Sequence, residues 1–84
     1  MYKIEWASRA FRQLRKIQSL SEQKKIYHEV GKLQKWPNCQ HVKALQGRKG
    51  YRLRVGKWRV IFDIKRALYV IKIEEVKKRD EHTY

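Results

Sequence analysis

The 84-residue sequence lacks several things that would assign it to a familiar function class. It has one cysteine, Cys39. A lone thiol forms no intramolecular disulfide, which removes the disulfide-stapled secreted scaffolds. Free cysteine is ordinarily a small buried or loop residue rather than a reactive one. The three histidines are scattered, and His28 has no Cys, His or carboxylate at ligand spacing, so no zinc site is indicated. The four glycines form no loop that follows a strand and opens a helix, which argues against a nucleotide cradle. No acidic pair is placed to hold the magnesium of a two-metal nuclease. No cofactor and no metal are therefore expected. No apolar run approaches the length of a membrane-spanning helix. Lys3, Glu5, Arg9 and Arg12 interrupt the N-terminus where a signal peptide would have its apolar core, so the cytoplasm is the expected location.

Acid is scarce beside base. Eight Asp and Glu stand against 22 Lys and Arg, a formal charge of +14. So large a charge on one small domain, residues 1–84, repels itself and calls for an acidic partner. Nucleic acid is the leading candidate and an acidic protein the second. A membrane fits less well, because the apolar residues suit folded elements rather than one exposed amphipathic face.

What the sequence does have is a patterned centre. From Gly50 to Ile64 side-chain type alternates with period two on both sides of Gly56-Lys57, the mark of a β-hairpin. Glycine first in a two-residue loop suits a type II′ turn. That turn sets Val55 opposite Trp58, Arg54 opposite Arg59, Leu53 opposite Val60, Arg52 opposite Ile61 and Tyr51 opposite Phe62. One face is then apolar: Tyr51, Leu53, Val55, Trp58, Val60 and Phe62. The other gathers Arg52, Arg54 and Arg59. Like charges directly opposed cost a sheet about 0.2–1 kcal/mol per pair. A merely solvated face could have used Thr or Lys–Glu pairs, so the cluster points to an anion, and phosphate suits bidentate arginine.

The rest of the chain arranges itself around that hairpin. Tyr2, Ile4 and Trp6 alternate with Lys3 and Glu5, predicting a first strand. Ser8 is placed to cap a helix on which Ala10, Phe11, Leu14 and Ile17 share a face, while Arg9, Arg12, Arg15 and Lys16 cover the remainder. Those cations are either a stripe for phosphates or an ordinary solvated face. Ser19-Leu20-Ser21-Glu22 matches a capping box, with Glu22 reaching back to Ser19. It opens a helix to about Lys35 that buries Ile26, Val30 and Leu33, and Trp36-Pro37 ends it. Two helices so closely joined should pack antiparallel. Asn38 to Gly50 reads as a polar connection carrying His41, Lys43, Arg48 and Lys49. Leu68 to Ile73 reads as a further strand. A two-residue turn at Lys65-Arg66 would set Lys72 opposite Arg59, although Lys-Arg is poor chemistry for such a turn. The expected fold is α+β: an N-terminal strand, an antiparallel helical hairpin over the aromatic face, then an antiparallel three-strand meander with its arginine face open.

If such a protein cuts a phosphodiester without metal, RNA supplies the nucleophile. Its 2′-hydroxyl attacks the adjacent phosphorus and expels the 5′-oxygen, leaving a 2′,3′-cyclic phosphate and a free 5′-hydroxyl. The reaction needs charge stabilisation on the phosphorane, a base and an acid. Arg52, Arg54 and Arg59 suit the first need. His82, Tyr84 or a lysine with a lowered pKa are the proton-transfer candidates. Arginine stays protonated and is a poor base. The tail that carries His82 and Tyr84 reads equally well as a frayed, charged end.

Tyr51-Arg-Leu-Arg-Val-Gly-Lys-Trp-Arg59-Val-Ile-Phe, followed by an apolar strand and by Lys77-Lys-Arg-Asp-Glu-His-Thr-Tyr84, resembles the RelE branch of the RelE/ParE toxin superfamily. Lys43-Ala44-Leu45-Gln46-Gly47 is similar to that family's Lys-x-Leu-x-Gly segment. The resemblance spans nearly the whole chain and implies a RelE-like microbial RNase fold. It also implies the toxin of a type II toxin–antitoxin pair, a metal-free endoribonuclease that cuts mRNA in the ribosomal A site. By resemblance the family's basic residues fall on Arg52, Arg54 and Arg59. The late basic residue falls on Lys78 or Arg79, since Val76 replaces the small residue that usually fixes the alignment. The terminal aromatic falls on Tyr84, and His82 is a further candidate. Arg9, Arg12, Arg15, Lys16, Lys43, Arg48, Lys49, Lys57, Lys72 and Lys77 would hold RNA and ribosome. The implied partners are a cognate acidic antitoxin, the ribosome and its mRNA, with the toxin monomeric when free. Two rivals stand beside this reading. One is a ParE-like inhibitor of DNA gyrase; the other is a basic RNA- or DNA-binding domain with no chemistry of its own.

Overall fold

The computed structural model describes residues 1–79. The elements are β1 (Lys3–Trp6), α1 (Ser8–Arg15), α2 (Leu20–Gly31), β2 (Val42–Ala44), β3 (Tyr51–Val55), β4 (Trp58–Lys65) and β5 (Val70–Lys78). A 3-10 turn over Lys32–Lys35 extends α2, and another over Arg66–Leu68 joins β4 to β5. The five strands form one sheet in the order β1-β5-β4-β3-β2. All neighbours are antiparallel except β1, which pairs parallel to β5. No described helix is long and apolar enough to cross a membrane.

The hairpin forms as its alternation dictates. All five pairs from Tyr51↔Phe62 to Val55↔Trp58 are observed. Gly56 takes φ 58° while Lys57 keeps a negative φ, as a II′ turn requires. The apolar face of the hairpin meets Ala10 and Leu14 of α1, Ile17, and Ile26, Val30 and Leu33 from α2 and its extension. Phe62 is fully buried at the centre, and burying a ring of that size contributes about 1.5–3 kcal/mol. Tyr51 stacks on it at 5.6 Å and Trp36 meets both rings edge-on.

Both helix starts differ in detail from the sequence reading. Ser8 is the first helical residue; the N-cap is Ala7, with no side-chain cap. Ala7 sits there because its amide is held by the Ile73 carbonyl at 2.9 Å, so the sheet rather than a hydroxyl starts the helix. Phe11 is more exposed than its spacing suggests, packing edge-on against Trp6 at the rim. Ser19 does cap α2, accepting the Glu22 amide at 3.2 Å. The Glu22 carboxylate does not complete the box. It accepts the Trp58 indole N–H at 2.9 Å and pairs with Lys57 at 3.4 Å, tying the start of α2 to the hairpin turn.

Two further differences concern the sheet. The Asn38–Gly50 connection contains a strand, β2, too short to show a period in sequence; it adds Val42↔Leu53 and Lys43↔Arg52 at the edge of β3. The β4–β5 link is longer than two residues. Lys-Arg offers no residue suited to positive φ, and the chain instead makes a 3-10 turn with Tyr69 in the left-handed region at φ 53°. The resulting register, with a bulge at Ile61/Phe62, sets Arg59 opposite Lys77 and Asp63 opposite Lys72, not Arg59 opposite Lys72.

Candidate nucleic-acid interface

The helices cover one face of the sheet, and the register fixes what stands on the other. Arg52 and Arg54 project there from β3, and Arg59 from β4. The Arg54 amide points away from β4, donating to the His41 carbonyl at 3.0 Å. Arg54 and Arg59 are therefore a non-hydrogen-bonded antiparallel pair, the arrangement that brings opposed residues closest, with Cα atoms about 4.5 Å apart. Arg59 lies in turn opposite Lys77. Arg79, just past β5, donates its amide to the Lys57 carbonyl at 2.7 Å and so continues the alternation that puts Lys77 on this face. One line of basic residues thus runs across the strands from Lys77 through Arg59 to Arg54. A second line runs from Lys43 through Arg52 to Ile61, which is buried on this helix-free face.

Arg52 is half-buried, and its Nε is a buried donor with no hydrogen-bond partner among the described residues. A buried unpaired donor costs about 1–3 kcal/mol. An anion seated against the guanidinium would remove that cost. Glu75 is the acid closest to this line in the register; it pairs with Arg9 at 3.4 Å and Lys77 at 3.9 Å.

The other basic residues are dispersed. Lys78 lies opposite Trp58, on the alternate side from Lys77 and Arg79. There it helps hold the Glu22 carboxyl below its ordinary pKa, after the larger effects of the Trp58 indole and Lys57. Lys57 is committed to Glu22. Lys72 pairs with Glu5 at 2.9 Å, which raises its pKa, and it stands toward the far edge beside β1. Arg12 and Lys16 are exposed on or just past α1, and Arg15 lies over the Phe11 ring at 5.9 Å. Arg48 and Lys49 border a small depression with Tyr51 and Arg66 at the other end of the hairpin. His82 and Tyr84 lie outside the described residues. Cys39 is half-buried, burial pushes its thiol pKa up, and its Sγ faces the Lys32 carbonyl at 3.7 Å; this is not an activated nucleophile.

A groove of about 800 Å³ lies elsewhere. It lies along the helices, lined by Phe11, Leu14 and Tyr27 together with Arg15, Lys24 and Lys32. Sequence reasoning passed over one neighbour of the arginines. His41 adopts φ 64° beside Arg54, and only its position in a basic loop marked it beforehand.

The molecule is thus a small α+β protein that turns a cationic sheet face outward. No protein-family model and no curated protein matches its sequence. Solved structures do match. The isolated RelE toxin of E. coli superposes with a TM-score of 0.81 at 15% identity, covering 96% of this chain and 87% of that one. A RelBE toxin–antitoxin complex from Mycobacterium tuberculosis gives 0.81 at 21% identity, covering 93% and 98%. An archaeal RelE–RelB complex from Pyrococcus horikoshii gives 0.79 at 23% identity, covering 95% and 97%. The chain has the RelE toxin fold, as the resemblance in its sequence implied.

Proposed function

We propose that the protein is the toxin of a type II toxin–antitoxin pair and cleaves mRNA on the ribosome without a metal ion. The observation that carries the reading is the Arg54–Arg59 pair at the closest sheet register, with the unpartnered Arg52 Nε beside it. Guanidinium groups so placed can clamp a phosphate between them in charge-assisted hydrogen bonds.

In this mechanism Arg52 and Arg54 hold the scissile phosphate and Arg59 stabilises the phosphorane, whose extra negative charge makes the contact stronger in the transition state than in the ground state. The 2′-hydroxyl loses its proton to a base, its oxygen bonds phosphorus, and the 5′-oxygen leaves with a proton from an acid. His82 and Tyr84 are the proposed proton carriers, with Tyr84 able to stack on an unpaired base. Lys77 and Arg79, on the same face, take the late basic role. Lys78, on the other side of β5, is the weaker candidate. Exposed cations on α1 and in the Lys43–Lys49 segment hold ribosomal RNA, so association weakens steeply with salt.

An antitoxin with an acidic segment neutralises the face. RelE neighbours have been solved in complex with RelB antitoxins. The helical groove, lined by both apolar and cationic side chains, suits an acidic amphipathic segment of the same partner.

Primer extension on mRNA after brief induction tests the reading. New 5′ ends in frame with codons, lost in Arg59→Ala, support cleavage. Growth arrest with DNA-damage signalling and no new ends would establish gyrase inhibition instead.

A further inference from the structure

Next to Arg54 the cationic line does not stop. The register that pairs Val42 with Leu53 brings His41, one residue earlier, alongside Arg54, and its carbonyl accepts the Arg54 amide at 3.0 Å. His41 holds a left-handed φ of 64°, uncommon for a residue with a side chain and often found where function fixes the backbone. Beyond it, across the edge of β3, a pocket of about 250 Å³ is lined by Lys25, Glu29, His41, Arg54, Val55 and Gly56. Lys25 comes from α2, so two helix and sheet elements and the loop between them contribute a basic group each. Glu29, the acid in the lining, is occupied: its carboxylate pairs with Lys32 at 2.8 Å, which with smaller effects of His28 and His41 holds its pKa below the ordinary value.

We propose that the pocket bounded by Lys25, His41 and Arg54 is a second phosphate subsite, holding the RNA backbone phosphate next to the one clamped by Arg54 and Arg59. This rests on the nuclease reading for the identity of the chain bound, and it adds a direction: the RNA crosses the strands from Lys77 toward α2. Arg54 stands between the two phosphates. Lys25 and a His41 ring N–H meet the second one as it leaves the sheet edge.

The test uses a single-stranded RNA tetranucleotide made uncleavable by 2′-deoxy sugars, titrated into the full-length protein and followed by NMR. The side-chain signals of His41 and Arg54 should shift together. In Lys25→Gln/His41→Asn the affinity should fall about three- to five-fold. Substituting each phosphate in turn by neutral methylphosphonate should weaken wild-type binding by a similar factor, and at one position the double variant should be indifferent. Lys3→Gln, which removes one exposed charge from β1 at the opposite sheet edge, should retain full sensitivity at that position. Equal sensitivity of wild type and double variant at every position would overturn the subsite, as would an unmoved His41 signal on saturation. Both residues are exposed, and matching thermal melts confirm that the variants fold. Binding is read without cleavage, so the subsite stands or falls here even if no mRNA is cut. Absence of cut mRNA with the subsite intact would refute the nuclease reading alone.

Discussion

Replacing Arg54 by Gln should stabilise the fold while disabling it. Arg54 and Arg59 oppose each other in a non-hydrogen-bonded pair, and such like-charge pairs cost about 0.2–1 kcal/mol. For a domain of this size 1 kcal/mol moves the melting temperature by about 4–8 °C, so the variant should melt about 1–8 °C higher in low salt. At ~1 M salt the screening length drops to about 3 Å, and the difference from wild type should vanish. Single-turnover cleavage on programmed ribosomes should fall by about 10²–10³, the usual cost of removing one group that stabilises transition-state charge. Arg54→Lys, which keeps the charge, should melt like wild type and retain intermediate activity. A lower melting temperature for Arg54→Gln in low salt, or cleavage within twofold of wild type, would refute the idea that this face is strained by a site for phosphate.

Glu22 has its carboxyl held below its ordinary pKa first by the Trp58 indole, with burial opposing it and Lys57 adding to it. The stability it contributes is complete above the ordinary carboxylate range and declines as pH falls through the folded-state value. Glu22→Gln should therefore flatten the acid side of a melting-temperature profile, with Trp58 fluorescence as the probe. Gly50 has φ 117°, and a Cβ there would meet the Phe62 carbonyl oxygen at 3.1 Å. Gly50→Ala should cost about 1–3 kcal/mol, visible as an earlier urea midpoint with an unchanged slope. Gln13 accepts the Val76 amide at 2.7 Å where β5 runs beyond its pairing with β1. Gln13→Leu should leave that amide unsatisfied, destabilise by about 1–3 kcal/mol, and speed hydrogen exchange at Val76 first.

Much of this protein is written in local pattern. The register from Tyr51 to Phe62 follows from alternation plus one glycine, because a II′ turn leaves no freedom once its two residues are known. The same pattern put Arg52, Arg54 and Arg59 on one face. The start of α2 followed from Ser19; Pro37 marked where its 3-10 extension stops, while the α-helix itself ends earlier, at Gly31. Where a residue's role depends on something distant, the sequence was silent. Ser8 yields the cap to Ala7 because Ile73, far along the chain, offers a carbonyl. Glu22 abandons the box for Trp58, 36 residues away. Three residues of β2 carry no readable period and become a strand only because β3 lies alongside. A bulge and a 3-10 turn moved Lys72 away from Arg59 and brought Lys77 in. Local chemistry set which residues share a face, since side chains alternate whatever the partner. Only the assembled sheet decided which basic residues stand opposite one another, because strand register past the first hairpin is set by loops and bulges that answer to the whole core.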